Sequence, residues 1–220
     1  MFRRKSDSLS IIAGDLSSLQ HKLDVLRDEK LKRRLFDSLP VEKQKMLDAL
    51  WEQLYCDRGR KNIPVSGGRW TDEVGNSLWI PDDSIIPPDK GYSNMRHKTW
   101  RQIKEENSIQ GIRFIDGRAD FRPVSRYSIV FDWKQALGWD GLRYLLDSGD
   151  RQFLHEYAFS LLAEKLGISL EKIKMIKESE NLVWHEEPDC GTLRLVVREV
   201  HDNIRHFGGI AMLPIVMMYY

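Results

Sequence analysis

The stretch 181–209 constrains this chain more than any other. Two short apolar runs, NLVWH at 181–185 and TLRLVV at 192–197, flank Pro188, Asp189 and Gly191, residues that favour a tight reversal. A helix-forming run, REVHDNIR, follows at 198–205, and Gly208-Gly209 stops it. Three of the six histidines, His185, His201 and His206, lie on this strand–turn–strand–helix unit. So small a unit folds back on itself and can gather the three imidazoles into one volume.

Such a cluster suits phosphodiester chemistry. An imidazole at a strand end takes a proton from water, because its ordinary pKa of about 6.5 lies near neutrality. A divalent cation held beside it stabilises charge on the phosphate under attack and on the leaving oxygen. Arg194, Arg198 and Arg205 offer planar guanidinium forks for phosphate oxygens. His201 and His206 are five positions apart, and at roughly 100° per residue a continuous helix would splay them by about 140°. They share one ion only if the helix ends between them, which a left-handed stop at Gly208-Gly209 would allow.

The other residues of the unit have plainer readings. Asp189 caps the turn through its side chain, Glu187 is solvated, and Trp184 is a core anchor. Arg194, alternating with Leu193 and Leu195, faces solvent. Asp116-Gly117 and Asp120-Phe121 read as a hairpin turn and a strand edge, and His97 and His155 as surface residues of helices.

Upstream, the leucines at 9, 16, 19, 23 and 26 recur at helical spacing, and Pro40 separates them from a second amphipathic run through Met46, Leu47, Leu50, Trp51 and Leu54. The expectation is a helical N-terminal region over 1–60. A loop-rich tract holding Pro64, Pro81, Pro87 and Pro88 follows, with an extended piece at 77–80. A helix at 97–106, strands at 111–115 and 127–131, and helices over 140–167 broken at Gly149 come next. Gly167 reads as a C-cap and Ser169 as the N-cap of a helix to about residue 180. The apolar end, 210–220, is expected to be a buried strand or an interaction surface. The fold class is therefore α+β: helices at 1–60, then a mixed region over 61–220 with its ββα core at 181–209.

Composition excludes several classes. Lys and Arg total 34 against 33 for Asp and Glu, a net charge of +1, so the whole chain is no polybasic nucleic-acid binder. Cys56 and Cys190 are too few for a disulfide framework. No apolar run is long enough to cross a bilayer. The start, MFRRKSDSLS, lacks the apolar core of a secretory signal. A cytoplasmic location is expected, or secretion without a cleavable signal.

Two blocks of residues resemble a known family. The first comprises Trp184-His185-Glu186, Asp189, Thr192, Leu195-Val196, Val200-His201, His206 and Gly208-Gly209-Ile210. The second comprises Gly75-Asn76-Ser77, Trp79, Pro81, Trp100, Ile103, Gly111-Ile112, Phe114, Asp116-Gly117, Asp120-Phe121 and Pro123-Val124-Ser125. Together they resemble the HNH/endonuclease VII (His-Me finger, ββα-metal) nuclease domains of bacterial polymorphic toxins, in the group with a Trp-His-His or Trp-His-Glu core. The resemblance spans roughly 67–211. It implies a metal-dependent endonuclease acting on DNA or RNA, a toxin or effector role, and a cognate immunity protein.

Many members carry His-His where this chain has His185-Glu186, which leaves two assignments open. In the favoured one His185 is the general base with Glu186 assisting, His201 and His206 hold one divalent ion (Zn, Mg, Mn or Ni), and Arg194, Arg198 and Arg205 contact substrate. In the other, His185 ligates the metal and Glu186 is the base. A degenerate HNH-like interaction module and a phage-defence nuclease are the alternatives to a toxin.

Overall fold

The computed structural model describes residues 62–213 together with Val41. The expected helices of 1–60 and the end of the apolar tail at 214–220 lie outside the described residues. Within them the fold is α+β: two small antiparallel sheets and five α-helices.

The first sheet is a meander in the order β1-β2-β3-β4: β1 (Gly68–Trp70), β2 (Leu78–Pro81), β3 (Ile112–Ile115) and β4 (Arg118–Asp120). Ile115 pairs with Arg118, so Asp116-Gly117 alone makes the β3–β4 turn, and both residues take positive φ (50° and 75°). That turn matches the twist of a two-residue hairpin and needs Asp, Asn or Gly at its centre. The sheet buries Trp79 and Phe114, against which Trp70 packs with ring centroids 5.2 and 5.0 Å away. Between β2 and β3 lies α1 (Trp100–Glu106), opened by a capping box between Thr99 and Gln102. The helix thus starts after His97, which sits in the preceding loop at φ 50° rather than on a helix.

A 3-10 turn, Arg122–Val124, carries the chain to the second sheet, whose order is β5-β7-β6. Here β5 is Ser125–Val130, β6 Leu182–Glu186 and β7 Thr192–Val197. Asp120 fixes this crossing by accepting from the Arg122 backbone N–H (3.0 Å) and guanidinium (2.7 and 2.6 Å). Phe121, at the junction, is fully buried.

Three helices connect β5 to β6: α2 (Trp133–Ser148), α3 (Gln152–Leu166) and α4 (Leu170–Ser179). The helical stretch starts earlier than its apolar pattern suggested, because Asp132 caps α2 by accepting from the Gln135 N–H. Gly138 kinks α2, and left-handed Gly149 and Gly167 end α2 and α3. Ser169 caps α4. Both faces of β6 and β7 are covered, so their residues are buried in near-continuous runs instead of alternating.

The last helix, α5, is a single turn, Arg198–His201. The helix expected to run to 205 ends four residues early. Val200, Ile204 and Phe207 have helical spacing and are all buried, yet the chain beyond Asp202 buries them as an irregular loop. Residues 209–212 form a 3-10 turn, so no strand starts at 210.

One polar link ties the first half of the chain to α5. Lys98 is buried, with Nζ 2.6 Å from Glu106 and 2.7 Å from Glu199 of α5. Removing one partner strands a buried charge, whereas in the Arg122–Asp120 pair the Arg122 guanidinium is exposed and screened by water. Lys98→Ala is expected to cost roughly 3 kcal/mol in urea denaturation, and Arg122→Ala less than about 1 kcal/mol. Equal small losses would contradict the reading.

Candidate metal centre

His185 stands near the end of β6, His201 closes α5, and His206 returns on the loop that follows. The helix does end between His201 and His206, which removes the 140° divergence. It ends at Asp202, in right-handed conformation, and not through a left-handed glycine. The glycines serve a different purpose. A Cβ at Gly209 would lie 2.4 Å from the Glu187 carbonyl oxygen, so only glycine lets the returning chain pass this close to the end of β6.

The three imidazoles form one cluster. Each offers a nitrogen, and these atoms all lie within 4.8 Å of one another. Ring centroids are 5.2, 5.0 and 4.4 Å apart. Phe121 packs against all three rings at 4.8, 5.2 and 4.8 Å. The junction between the two sheets thus supplies the apolar support of the cluster, a role that reading Asp120-Phe121 as a strand edge missed.

Hydrogen bonding points ligand-competent nitrogens inward. His201 Nδ1 is 2.8 Å from Asp202 Oδ1, and His206 Nδ1 is 2.7 Å from the Ile204 carbonyl oxygen. Donation to those oxygens leaves the Nε2 lone pair of each ring free. His185 Nδ1 lies 3.2 Å from His201 Nε2. Two bare lone pairs at that distance repel, so a proton or a cation must sit between them. His185 Nε2 is buried without a hydrogen bond and lies 3.8 Å from Glu187 Oε2. His201 and His206 thus each have a hydrogen-bonded oxygen on the outer side, the arrangement that orients imidazoles on a metal. The donor set fits a divalent transition ion, and the three close histidines could bind one.

Electrostatics favour the neutral form of His185 and His206. Burial, then the neighbouring His206 and His201, push His185 well below the ordinary imidazole range. Burial and His201 push His206 down to about 3, against the opposing pull of the Ile204 carbonyl and Asp202. Neutral imidazole is the form that ligates a metal.

Glu186 points elsewhere. Its buried carboxylate has Oε1 2.7 Å from His155 Nε2 and Oε2 3.6 Å from the Arg151 guanidinium. Burial would raise its pKa, but the His155 hydrogen bond and the Arg151 charge outweigh burial and lower it. His155 is thus no free surface residue. It and Arg151 were missed because their partner Glu186 lies 31 and 35 positions away and only the fold brings them together.

The remaining expectations divide. Asp189 Oδ1 accepts from the Gly191 and Thr192 N–H groups (2.9 and 2.8 Å), and Oδ2 from the Thr192 hydroxyl (2.7 Å), so it does cap the turn. Trp184 is buried against Phe159, as a core anchor should be. Glu187 is not solvated: burial raises its pKa, and its Oε1 is 2.6 Å from Arg194 Nε. Arg194 is accordingly half-buried rather than facing solvent, and it pairs with His185 across the sheet. Arg198 donates to the Gly91 and Leu182 carbonyls at 3.3 and 3.4 Å. Arg205 is exposed.

The three histidines thus come from the first strand of an antiparallel pair, from the short helix after the second strand, and from the loop beyond that helix. Residues 156–208 match the family model of the DNase/tRNase domain of colicin-like bacteriocins. The segment runs from within α3 to Gly208 and contains all three histidines. The match supports a nuclease toxin of the colicin type. No curated protein and no solved structure matches the chain. Among the described residues no helix is long and apolar enough to cross a membrane.

The depressed imidazoles fix a pH dependence. Their folded pKa values lie below the unfolded value of 6.5, so the unfolded chain binds more protons in the interval between them. Their contribution to stability is present above 6.5 and is lost as pH falls through the interval toward about 3. The metal-free protein, scanned by thermal melts with chelator present, is expected to lose Tm steadily below pH 6.5, and His206→Ala to lose less. Parallel profiles for the two would contradict this.

Proposed function

We propose that this chain is a metal-dependent endonuclease that hydrolyses phosphodiester bonds of DNA or RNA, acting as a bacterial toxin in the cytoplasm of a target cell and paired with a cognate immunity protein. The observation that carries the reading is the set of three ligand-competent imidazole nitrogens within 4.8 Å of one another, inside a segment similar to a nuclease domain.

His185, His201 and His206 hold one divalent cation. This takes from the second assignment the ligand role of His185, but not Glu186 as base, because that carboxylate is engaged by His155 and Arg151. A base must exchange protons with water, and His185 is 1% exposed with its Nδ1 turned to His201. Three imidazole donors favour zinc or nickel over magnesium, which prefers oxygen. Lewis acidity toward the phosphate and the leaving oxygen is what a bound cation supplies. Asp202 and the Ile204 carbonyl orient the His201 and His206 rings. Arg194, held by Glu187, keeps a positive charge beside the cluster, and exposed Arg205 is free to meet a phosphate. Arg198, tied to two backbone carbonyls, holds the loop at Gly91 instead.

The test incubates the protein with plasmid and with total RNA across a panel of divalent ions. Cleavage is expected with a transition ion and is expected to stop with EDTA. Groups that only orient ligands cost 10–100-fold when removed, so His201→Ala is expected to lose at least about 100-fold. Circular dichroism should show the variant folded. No cutting with any ion, or an equally active His201→Ala, would overturn the reading, and absent metal binding would point to a degenerate interaction module.

A further inference from the structure

Glu186 follows a metal-cluster histidine on β6, yet its carboxylate is turned toward the first turn of α3. Arg151 and His155 are four positions apart, so one helix face presents both. The His155 backbone N–H donates to the Arg151 backbone carbonyl at 2.9 Å, which locks them in that turn. Both side chains meet Glu186, at 3.6 and 2.7 Å. Trp184, on the same strand, sets its ring 6.3 Å from the His155 imidazole and limits how that ring can turn.

The Glu186 side chain is 5% exposed and both oxygens are engaged, so it is poorly placed to receive a proton from water. The His155 side chain is 25% exposed. Its Nε2–H, donated to Glu186, leaves a lone pair on Nδ1, which makes no hydrogen bond among the described residues. A base oriented by a buried carboxylate is the arrangement that general-base chemistry uses. The Arg151 side chain is half exposed and retains donors for a phosphate.

We propose that His155 is the general base of the hydrolysis, positioned by Glu186, with Arg151 beside it holding the phosphate. The assignment rests on the nuclease reading above and adds a residue outside the segment that matches the nuclease family. His155 Nδ1 takes a proton from water as the water oxygen bonds to phosphorus. The bond from phosphorus to the leaving ester oxygen breaks, the electron pair stays on that oxygen, and solvent protonates it. The proton on His155 then returns to solvent.

The experiment compares wild type, His155→Gln, His155→Ala and Glu186→Gln. Imidazole 15N spectra of the metal-free protein read the tautomer of His155, calorimetry with zinc or nickel reads metal affinity, and cleavage is followed against pH. The expected tautomer carries its proton on Nε2. Both His155 variants are expected to bind metal as wild type does and to cleave slower by about 100-fold or more. Glu186→Gln is expected to fall between them and wild type. The Gln at 155 can still donate to Glu186 but takes no proton, so wild-type cleavage by His155→Gln would overturn the assignment and leave His155 a merely structural partner. Weakened metal affinity in both His155 variants would also overturn it, placing the residue in the metal site. If wild type cleaves with metal and His155→Gln cleaves equally, only this assignment fails. If wild type cleaves nothing with any ion, the nuclease reading fails and takes this assignment with it.

Discussion

Two imidazole nitrogens 3.2 Å apart, His185 Nδ1 and His201 Nε2, make the contact on which the C-terminal half depends. Burial holds His185 neutral, and outer oxygens set the neighbouring tautomers, so the close approach is stable only with a proton or a cation between the rings. The surrounding structure enforces that approach. Phe121 backs all three rings, and Gly209 lets the chain return over the end of β6 to deliver His206. A larger side chain at 209 would collide with backbone rather than with a movable group.

The end of β6 separates functions by strand geometry. Successive side chains point to opposite faces, so His185 joins the histidine cluster while Glu186 meets α3. Glu187 then returns to the side of the cluster, close to His185 Nε2 and bound to Arg194. Three consecutive residues thus face the histidine cluster, a helix-borne histidine and Arg194 in turn.

Much of this was legible in the sequence wherever the signal was local. The two strands of the ββα unit, the Asp189 cap, the Asp116-Gly117 turn, and the glycine and serine ends of α2, α3 and α4 all follow from residues within a few positions of one another. The convergence of His185, His201 and His206 followed from the shortness of the unit. What failed was non-local or mimicked a local signal. Val200, Ile204 and Phe207 carry a helical period, but the loop past Asp202 satisfies their burial without a helix. Arg194 and Glu187 looked solvated because their pairing depends on the covering of both sheet faces. Phe121, His155 and the Lys98–Glu199 link depend on contacts between segments far apart in the chain.

X-ray absorption at the zinc edge of the zinc-loaded protein tests the central claim most directly. The account predicts a first shell with three imidazole nitrogens at about 2.0–2.1 Å, and loss of their outer-ring scattering when His185, His201 and His206 are replaced together. A shell of oxygens without imidazole scattering, or a spectrum unchanged by the triple replacement, would contradict it.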